Sequence, residues 1–356
     1  MKNSLHVFLG EDLVGELRET ENGLLAFQYT ESWQKNGFSI SPIDLPLSSE
    51  VFIADYDPFN GNFGVFADSL PDGWGSLILD RYFSERNINY KNLPQLERLA
   101  YIGNQGRGAL EYKPNKSFLQ TLNNPDFDAI AKHCDAILNE EAFKKPNVLE
   151  LVRGAGSSGG ARPKVFAEID GEEWLVKFPA TLEPRDIGKT EYNYSLLAKK
   201  CGISMPETKL VNDKFFATKR FDRVDGRKIH TVTVAGLLSA DYRQPIYDYE
   251  QILQLTGALT QSQEEINQMF LRMLFNVEIG NCDDHVKNFA FQYVDGKWVN
   301  SPAYDIVPMR GFNDNHSTSI NGKGQPTEED YKVLAEKFSV EGWESMLNKI
   351  RITLGK

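Results

Sequence analysis

The sequence predicts an α+β protein in which strand-rich structure comes first and helix-rich structure last. Three observations carry this. Residues 1–115 mix short alternating runs with turns. Residues 148–220 hold strand pairs around a dense glycine segment and one amphipathic helix. From Tyr249 onward the apolar spacing is helical, interrupted by a single hairpin.

Taken in order, Leu5 to Leu9 alternates and meets the turn Gly10-Glu11-Asp12, and Gly23 to Tyr29 supplies a second strand. Asp68 to Gly75 (DSLPDGWG) reads as a turn-rich loop, followed by a helical pattern from Ser76 to Arg86. Pro114 to Phe127 is polar, carries two prolines and several Asn, and suits a boundary; Ala129 to Phe143 then reads as a helix. The glycine segment spans Gly154 to Gly160. A hairpin, Lys164 to Ile169 and Glu173 to Phe178, follows around Asp170-Gly171, and Glu191 to Cys201 is an amphipathic helix stopped by Gly202. Strands are expected at Thr208 to Asn212, Lys214 to Arg220 and His230 to Val234. Helices are expected at Tyr249 to Leu259, Gln263 to Val277, Glu328 to Phe338 and Gly342 to Leu354. Three parts result: 1–115, 116–235 with the glycine loop, and the helical 236–356.

The chain of 356 residues is long enough for about two domains of ~150 residues. With 41% hydrophobic and 25% charged residues it has a soluble globular composition. A net charge of -11 argues against broad nucleic-acid contact, which needs clustered Lys and Arg, while leaving room for a local basic groove. Cys134, Cys201 and Cys282 form no CxxC pair and read as reduced thiols. The N-terminus has too short an apolar run for a signal peptide, and no segment reaches ~18 apolar residues, so a cytoplasmic location off the membrane is expected.

The chemistry concentrates in Gly280 to Met309. Asp283 and Asn288 stand five positions apart, and a strand, the turn Asp295-Gly296 and a second strand lead on to Asp305. Phosphoryl transfer needs one carboxylate to orient the attacking hydroxyl, with an amide oxygen and a second carboxylate to hold magnesium on nucleotide phosphates. The Asp-x4-Asn spacing selects Asp283 over Asp284. Lys287, inside the loop, is placed to neutralise a γ-phosphate. A metal cluster of Asp283, Asp284 and His285 is the weaker rival, since consecutive side chains diverge. A polar loop after a helix is the bland one, and Asp305 in the apolar context AYDIV counts against it.

Gly154-Ala155-Gly156-Ser157-Ser158-Gly159 fits GxGxxG, a weak pattern alone. Gly160-Ala161 stands where a P-loop needs Lys-Ser or Lys-Thr, and Arg162-Pro163 prevents the loop from opening a helix as a dinucleotide fingerprint must. A loop folding over nucleotide phosphates survives, with backbone N–H groups of Gly156, Ser158, Gly159 and Gly160 facing the oxygens; a glycine loop without ligand is its competitor. Lys177 lies in the apolar strand WLVKFP, where burial demands a partner: the α/β-phosphates, plus Glu191 at the head of the next helix. An edge-strand lysine facing water is the alternative. Arg220-Phe221-Asp222-Arg223 reads first as a solvated ion-pair turn and second as a structural lock.

With DDHVKNF followed by AYDI, GGARPK, LVKFP, EYNYSLLAKKCGI, KRFDR and SLPDGW, the sequence resembles the HipA family of bacterial serine/threonine kinases, toxins of type II toxin–antitoxin modules, over nearly its whole length. The resemblance implies a protein-kinase-like two-lobed fold with an N-terminal mixed α/β subdomain, and use of ATP and Mg2+. It implies Asp283 as catalytic base, Asn288 and Asp305 as magnesium ligands and Lys177 on the α/β-phosphates. Ser157, or its neighbour Ser158, falls where the family autophosphorylates a serine that ejects the loop and shuts the kinase off. The implied partners are a small helix-turn-helix antitoxin of the HipB type, which would supply all DNA contact, and a protein substrate such as an aminoacyl-tRNA synthetase. Two departures stand out: the C-terminal helices are shorter than in the longest members, and Ala235 to Leu238 lacks the acidic pattern some relatives show near the nucleotide hinge. A small-molecule kinase and a catalytically silent nucleotide-binding partner of a repressor are the competing functions.

Overall fold

The computed structural model describes residues 4–139, 147–156 and 159–356. They form two compact units. The first comprises residues 1–189, 208–230 and 236–239, and the second 190–207, 231–235 and 240–356.

The first unit contains two sheets. One has the strand order Phe52–Ile53, Leu25–Tyr29, Asp12–Glu19, Ser4–Leu9, Leu110–Lys113, antiparallel throughout. Its second strand in sequence, DLVGELRE, was hidden by its charges and its glycine. Gly15 is required because a Cβ there would lie 2.4 Å from the Gln28 carbonyl and 2.5 Å from the Phe27 ring. Phe27, Phe66 and Tyr112 pack in the core of this sheet, with Phe66 against both of the other rings. The other sheet has the order Leu122–Asn123, Lys164–Ile169, Glu172–Lys177, Phe215–Lys219, Thr208–Val211, with Leu122–Asn123 parallel to its neighbour. A helix not anticipated from sequence, Val148–Ala155, packs on it. Gly154 permits the close approach, since a Cβ there would meet Leu122 at 2.7 Å and Val165 at 3.1 Å.

KRFDR proves to be a buried lock rather than a solvated turn. Arg220 donates to both Asp222 oxygens (2.9 and 2.8 Å), and Arg223 to Asp222 Oδ2 (3.1 Å) and to the carbonyls of Gly108 (2.8 Å) and Gly106 (3.0 Å). The Gly108 N–H closes the cluster on Asp222 (2.9 Å). Burial alone would raise the Asp222 carboxyl, but the two guanidiniums outweigh it and hold it well below the usual carboxylate range.

In the second unit the helix Gln263–Ile279 is the central strut, buried on every side from Met269 to Asn276. Ser262 caps its start and Gly280, in the left-handed conformation, ends it. Around it lie the helices Tyr249–Thr260, Glu328–Lys337 and Trp343–Leu354 and a three-stranded sheet, His230–Thr233, Ala290–Val294, Lys297–Asn300. The helix Ile187–Cys201 begins four residues before the expected start, so Glu191 lies one turn inside it, buried, instead of heading it. The three cysteines are free and buried.

Candidate active site

The residues singled out from the sequence fall into two groups, one in each unit. In the first, the helix Val148–Ala155 ends at Gly156 (φ +54°), where a Cβ would strike the Phe166 ring at 2.6 Å. Ser157 and Ser158 lie outside the described residues. The loop resumes at Gly159 and Gly160 and rests on the SLPDGW turn. Asp72 accepts from the Gly160 N–H, Trp74 N–H donates to the Gly160 carbonyl (3.0 Å), and a Cβ on Gly73 would lie 2.4 Å from that carbonyl. Lys164 Nζ donates to the Gly159 carbonyl.

Lys164 and Lys177 stand directly opposite across the hairpin, 4% and 6% exposed. Directly opposed residues project from the same sheet face. The two lysines thus share one sheet face, with Lys164 held on the glycine loop. Lys164 was not singled out from the sequence, although a two-residue turn at 170–171 dictates the pairing of 164 with 177.

The second group is built around two adjacent carboxylates of opposite environment. Asp284 is fully buried and accepts four hydrogen bonds: Tyr249 OH (2.8 Å), His316 Nδ1 (2.8 Å), Ser317 N–H (3.0 Å) and Thr318 N–H (3.3 Å). Burial, and then the Asp284 charge, push the Tyr249 phenol well above its ordinary value, so it stays a donor. This anchor fixes the backbone of the neighbouring Asp283, whose side chain is 56% exposed with His285 Nε2 at 3.9 Å. Asn288, in a short 3-10 turn, donates through Nδ2 to the Asp283 carbonyl (2.7 Å), which orients its amide oxygen away from that bond.

Asp305 lies in a segment without regular secondary structure, in the left-handed region (φ +53°), and not between strand residues as its context suggested. Asp is among the few side chains that tolerate this conformation. The segment runs beside the Asp283 loop: Cys282 N–H donates to the Met309 carbonyl (2.8 Å), Met309 N–H to the Gly280 carbonyl (3.0 Å), Asn281 Nδ2 to the Asp305 carbonyl (3.1 Å) and Tyr304 OH to the Lys287 carbonyl (2.8 Å). Lys287 Nζ lies 4.9 Å from the Tyr242 ring centre. Arg272, buried in the strut helix, donates to the Asn288 carbonyl and lies over the Phe289 and Tyr304 rings (4.8 and 5.4 Å). Arg272, Tyr249 and His316 carried no sequence signal, because each reaches the loop from far along the chain. Among the described residues no three His, Cys, Asp or Glu side chains gather as a metal cage, which leaves Asp283-Asp284-His285 without support as one.

The chain matches the family described as HipA-like C-terminal domain over residues 156–354, and that described as HipA N-terminal domain over residues 5–113. It belongs to the HipA family. The Shewanella oneidensis serine/threonine-protein kinase toxin HipA is 23% identical over 351 residues, covering 87% of this chain and 76% of that protein. The Sinorhizobium fredii protein Y4dM, whose name proposes a kinase, is 26% identical over 327 residues, covering 85% and 76%. The solved structure of S. oneidensis HipA with HipB and operator DNA matches with a TM-score of 0.72 at 20% identity, over 98% of this chain and 88% of that one. The fold is therefore the α+β, kinase-like fold of HipA. No helix among the described residues is long and apolar enough to cross a membrane.

Proposed function

We propose that this HipA-family chain is an ATP- and Mg2+-dependent serine/threonine protein kinase, the toxin of a toxin–antitoxin pair, and that it acts in the cytoplasm. The observation that carries the reading is the paired environment at 283–284. One carboxylate is sunk as an anchor so that its neighbour is presented, with Asn288 and Asp305 on adjoining segments. Asp283 orients a serine hydroxyl and accepts its proton as the γ-phosphoryl group moves in line onto the oxygen. The Asn288 amide and Asp305 carboxylate are hard oxygen donors of the kind magnesium takes, and the ion, when bound, neutralises charge on the phosphates. Lys177, with Lys164 beside it, holds the α/β-phosphates, Gly156, Ser158, Gly159 and Gly160 supply backbone donors, and Lys287 faces the γ-phosphate.

The family supports a switch at Ser157, with Ser158 as the alternative: a phosphoserine adds about -1.5 to -2 charge where phosphates bind, which favours expulsion of the loop. The HipB and operator DNA bound in the Shewanella structure support a helix-turn-helix antitoxin as partner, through which alone this acidic chain meets DNA. A protein substrate of the aminoacyl-tRNA synthetase kind follows from the family resemblance. Functionally, 1–115 is the family's N-terminal subdomain, 116–235 the nucleotide lobe and 236–356 the catalytic lobe.

Incubation with ATP and magnesium followed by phosphosite mapping tests the switch. A phosphopeptide at Ser157 or Ser158 is expected, and Ser157→Ala should prolong activity toward substrate. Phosphate on neither serine, or a Ser157→Ala protein that binds ATP but is inactive, contradicts it.

A further inference from the structure

Phe52–Ile53 is the outermost strand of the five-stranded sheet that begins the chain, and no strand among the described residues lies beyond it. Phe52 stands opposite Phe27 and Ile53 opposite Ala26, while the Ala54 N–H donates to the Leu25 carbonyl (2.8 Å). Antiparallel pairs alternate between residues that exchange both bonds and residues that exchange none. Phe52 therefore bonds inward, and the N–H and C=O of Ile53 point away from the sheet. Phe52 also pins the strand, its ring centre 6.4 Å from that of Tyr29.

The side chains along this edge are of a kind that sheet edges usually avoid. Val51, Ile53 and Tyr56 are 58%, 61% and 64% exposed. A free edge is ordinarily blunted by lysine, proline or a bulge, because an apolar one recruits other strands. Here Val51 and Ile53 are β-branched residues that suit a strand, and no Lys, Arg or His occurs between Lys35 and Arg81.

The charge beside the edge has one sign. Glu50, Asp55 and Asp57 are exposed, and none of them forms an ion pair among the described residues. This selects the occupant. A second copy laid edge to edge would bring these carboxylates against their like, and a nucleic-acid backbone would be repelled. An extended basic peptide meets every feature. Its main chain bonds to Ile53, its apolar side chains cover Val51 and Ile53, and its Lys or Arg side chains face the three carboxylates.

We propose that the edge strand Phe52–Ile53 takes up a basic, extended segment of a partner protein as an added strand. The binding does not rest on the kinase reading, since no residue of the candidate active site takes part.

The test is titration of the full chain at low salt with a blocked peptide of about seven residues that alternates Lys and Val. It should bind with a Kd below roughly 100 μM. The same peptide with Glu in place of Lys, or with its main-chain nitrogens methylated, should bind at least tenfold more weakly. Ile53→Lys should weaken binding at least tenfold, as should Glu50→Lys combined with Asp55→Lys. All three side chains are exposed, so the melting temperature should stay unchanged. In hydrogen exchange read by NMR, saturating peptide should slow the outward-facing Ile53 amide at least tenfold. The proposal is overturned if the peptide binds no tighter than about 1 mM, or if the methylated peptide binds as tightly, which would leave charge alone as the attraction. It is overturned equally if Ile53→Lys leaves the Kd unchanged, or if sedimentation shows a dimer of the chain that Ile53→Lys abolishes.

Discussion

Asp284→Asn separates the two adjacent carboxylates by phenotype. The parent side chain is fully buried and receives four donors, two of them the main-chain N–H groups of Ser317 and Thr318. The amide keeps one acceptor oxygen, loses the charge and turns an NH2 toward groups that themselves donate. A hydrogen bond to a charged group contributes about 1.5–3 kcal/mol and a stranded buried donor costs about 1–3 kcal/mol, so a loss of about 3 kcal/mol is expected. At tenfold per 1.4 kcal/mol this lowers amide-exchange protection at Ser317 and Thr318 by about 100-fold. Hydrogen exchange read by NMR, with thermal melting alongside, measures both; for units of this size about 3 kcal/mol lowers the melting temperature by roughly 6–12 °C. Asp283→Asn, at a side chain 56% exposed, should change stability by less than about 0.5 kcal/mol. Protection at Ser317 and Thr318 that stays at the parent level in Asp284→Asn would refute the anchoring argument, as would equal destabilisation by the two substitutions.

Two further outcomes concern His230 and Lys164. His230 is fully buried with Nε2 on the Ile40 carbonyl (2.8 Å), and burial drives its pKa down to about 4, the hydrogen bond opposing. Since the unfolded chain binds the proton near pH 6.5 and the folded chain does not, stability should fall as pH drops from about 6.5 toward 4, by about 3 kcal/mol in all; His230→Gln should flatten that part of a urea-melt pH series, and an unaltered slope would count against it. Lys164→Met and Lys177→Met should each weaken ATP binding about tenfold or more, since the two residues share one sheet face; equilibrium binding of a fluorescent nucleotide reads this, and parent affinity in Lys164→Met would remove that residue from the proposed phosphate site.

Local chemistry was legible in the sequence. The turns Asp170-Gly171 and Asp295-Gly296 fall where left-handed φ values are needed, and their hairpins formed as read. The four C-terminal helices also fell within a few residues of their periodic patterns. What escaped depended on distant neighbours. Gly188 makes the first turn of Ile187–Cys201 look like a loop, yet it is there because a Cβ would strike the Lys214 carbonyl at 2.2 Å. Gly15 disguised a strand for the same kind of reason. The burial of Arg220 and Asp222 depended on Gly106 and Gly108, more than 100 residues away. In the candidate site the acidic and amide side chains were readable from spacing, whereas Asp72, Tyr249, Arg272 and His316 act through contacts no spacing encodes.

The central claim is that Asp283 is the group that handles the hydroxyl proton, and single-turnover transfer of labelled γ-phosphate tests it most directly. Asp283→Asn should bind ATP and magnesium like the parent, melt like the parent and transfer phosphate about 100- to 10,000-fold more slowly. Transfer at the parent rate, with nucleotide affinity intact, would contradict it.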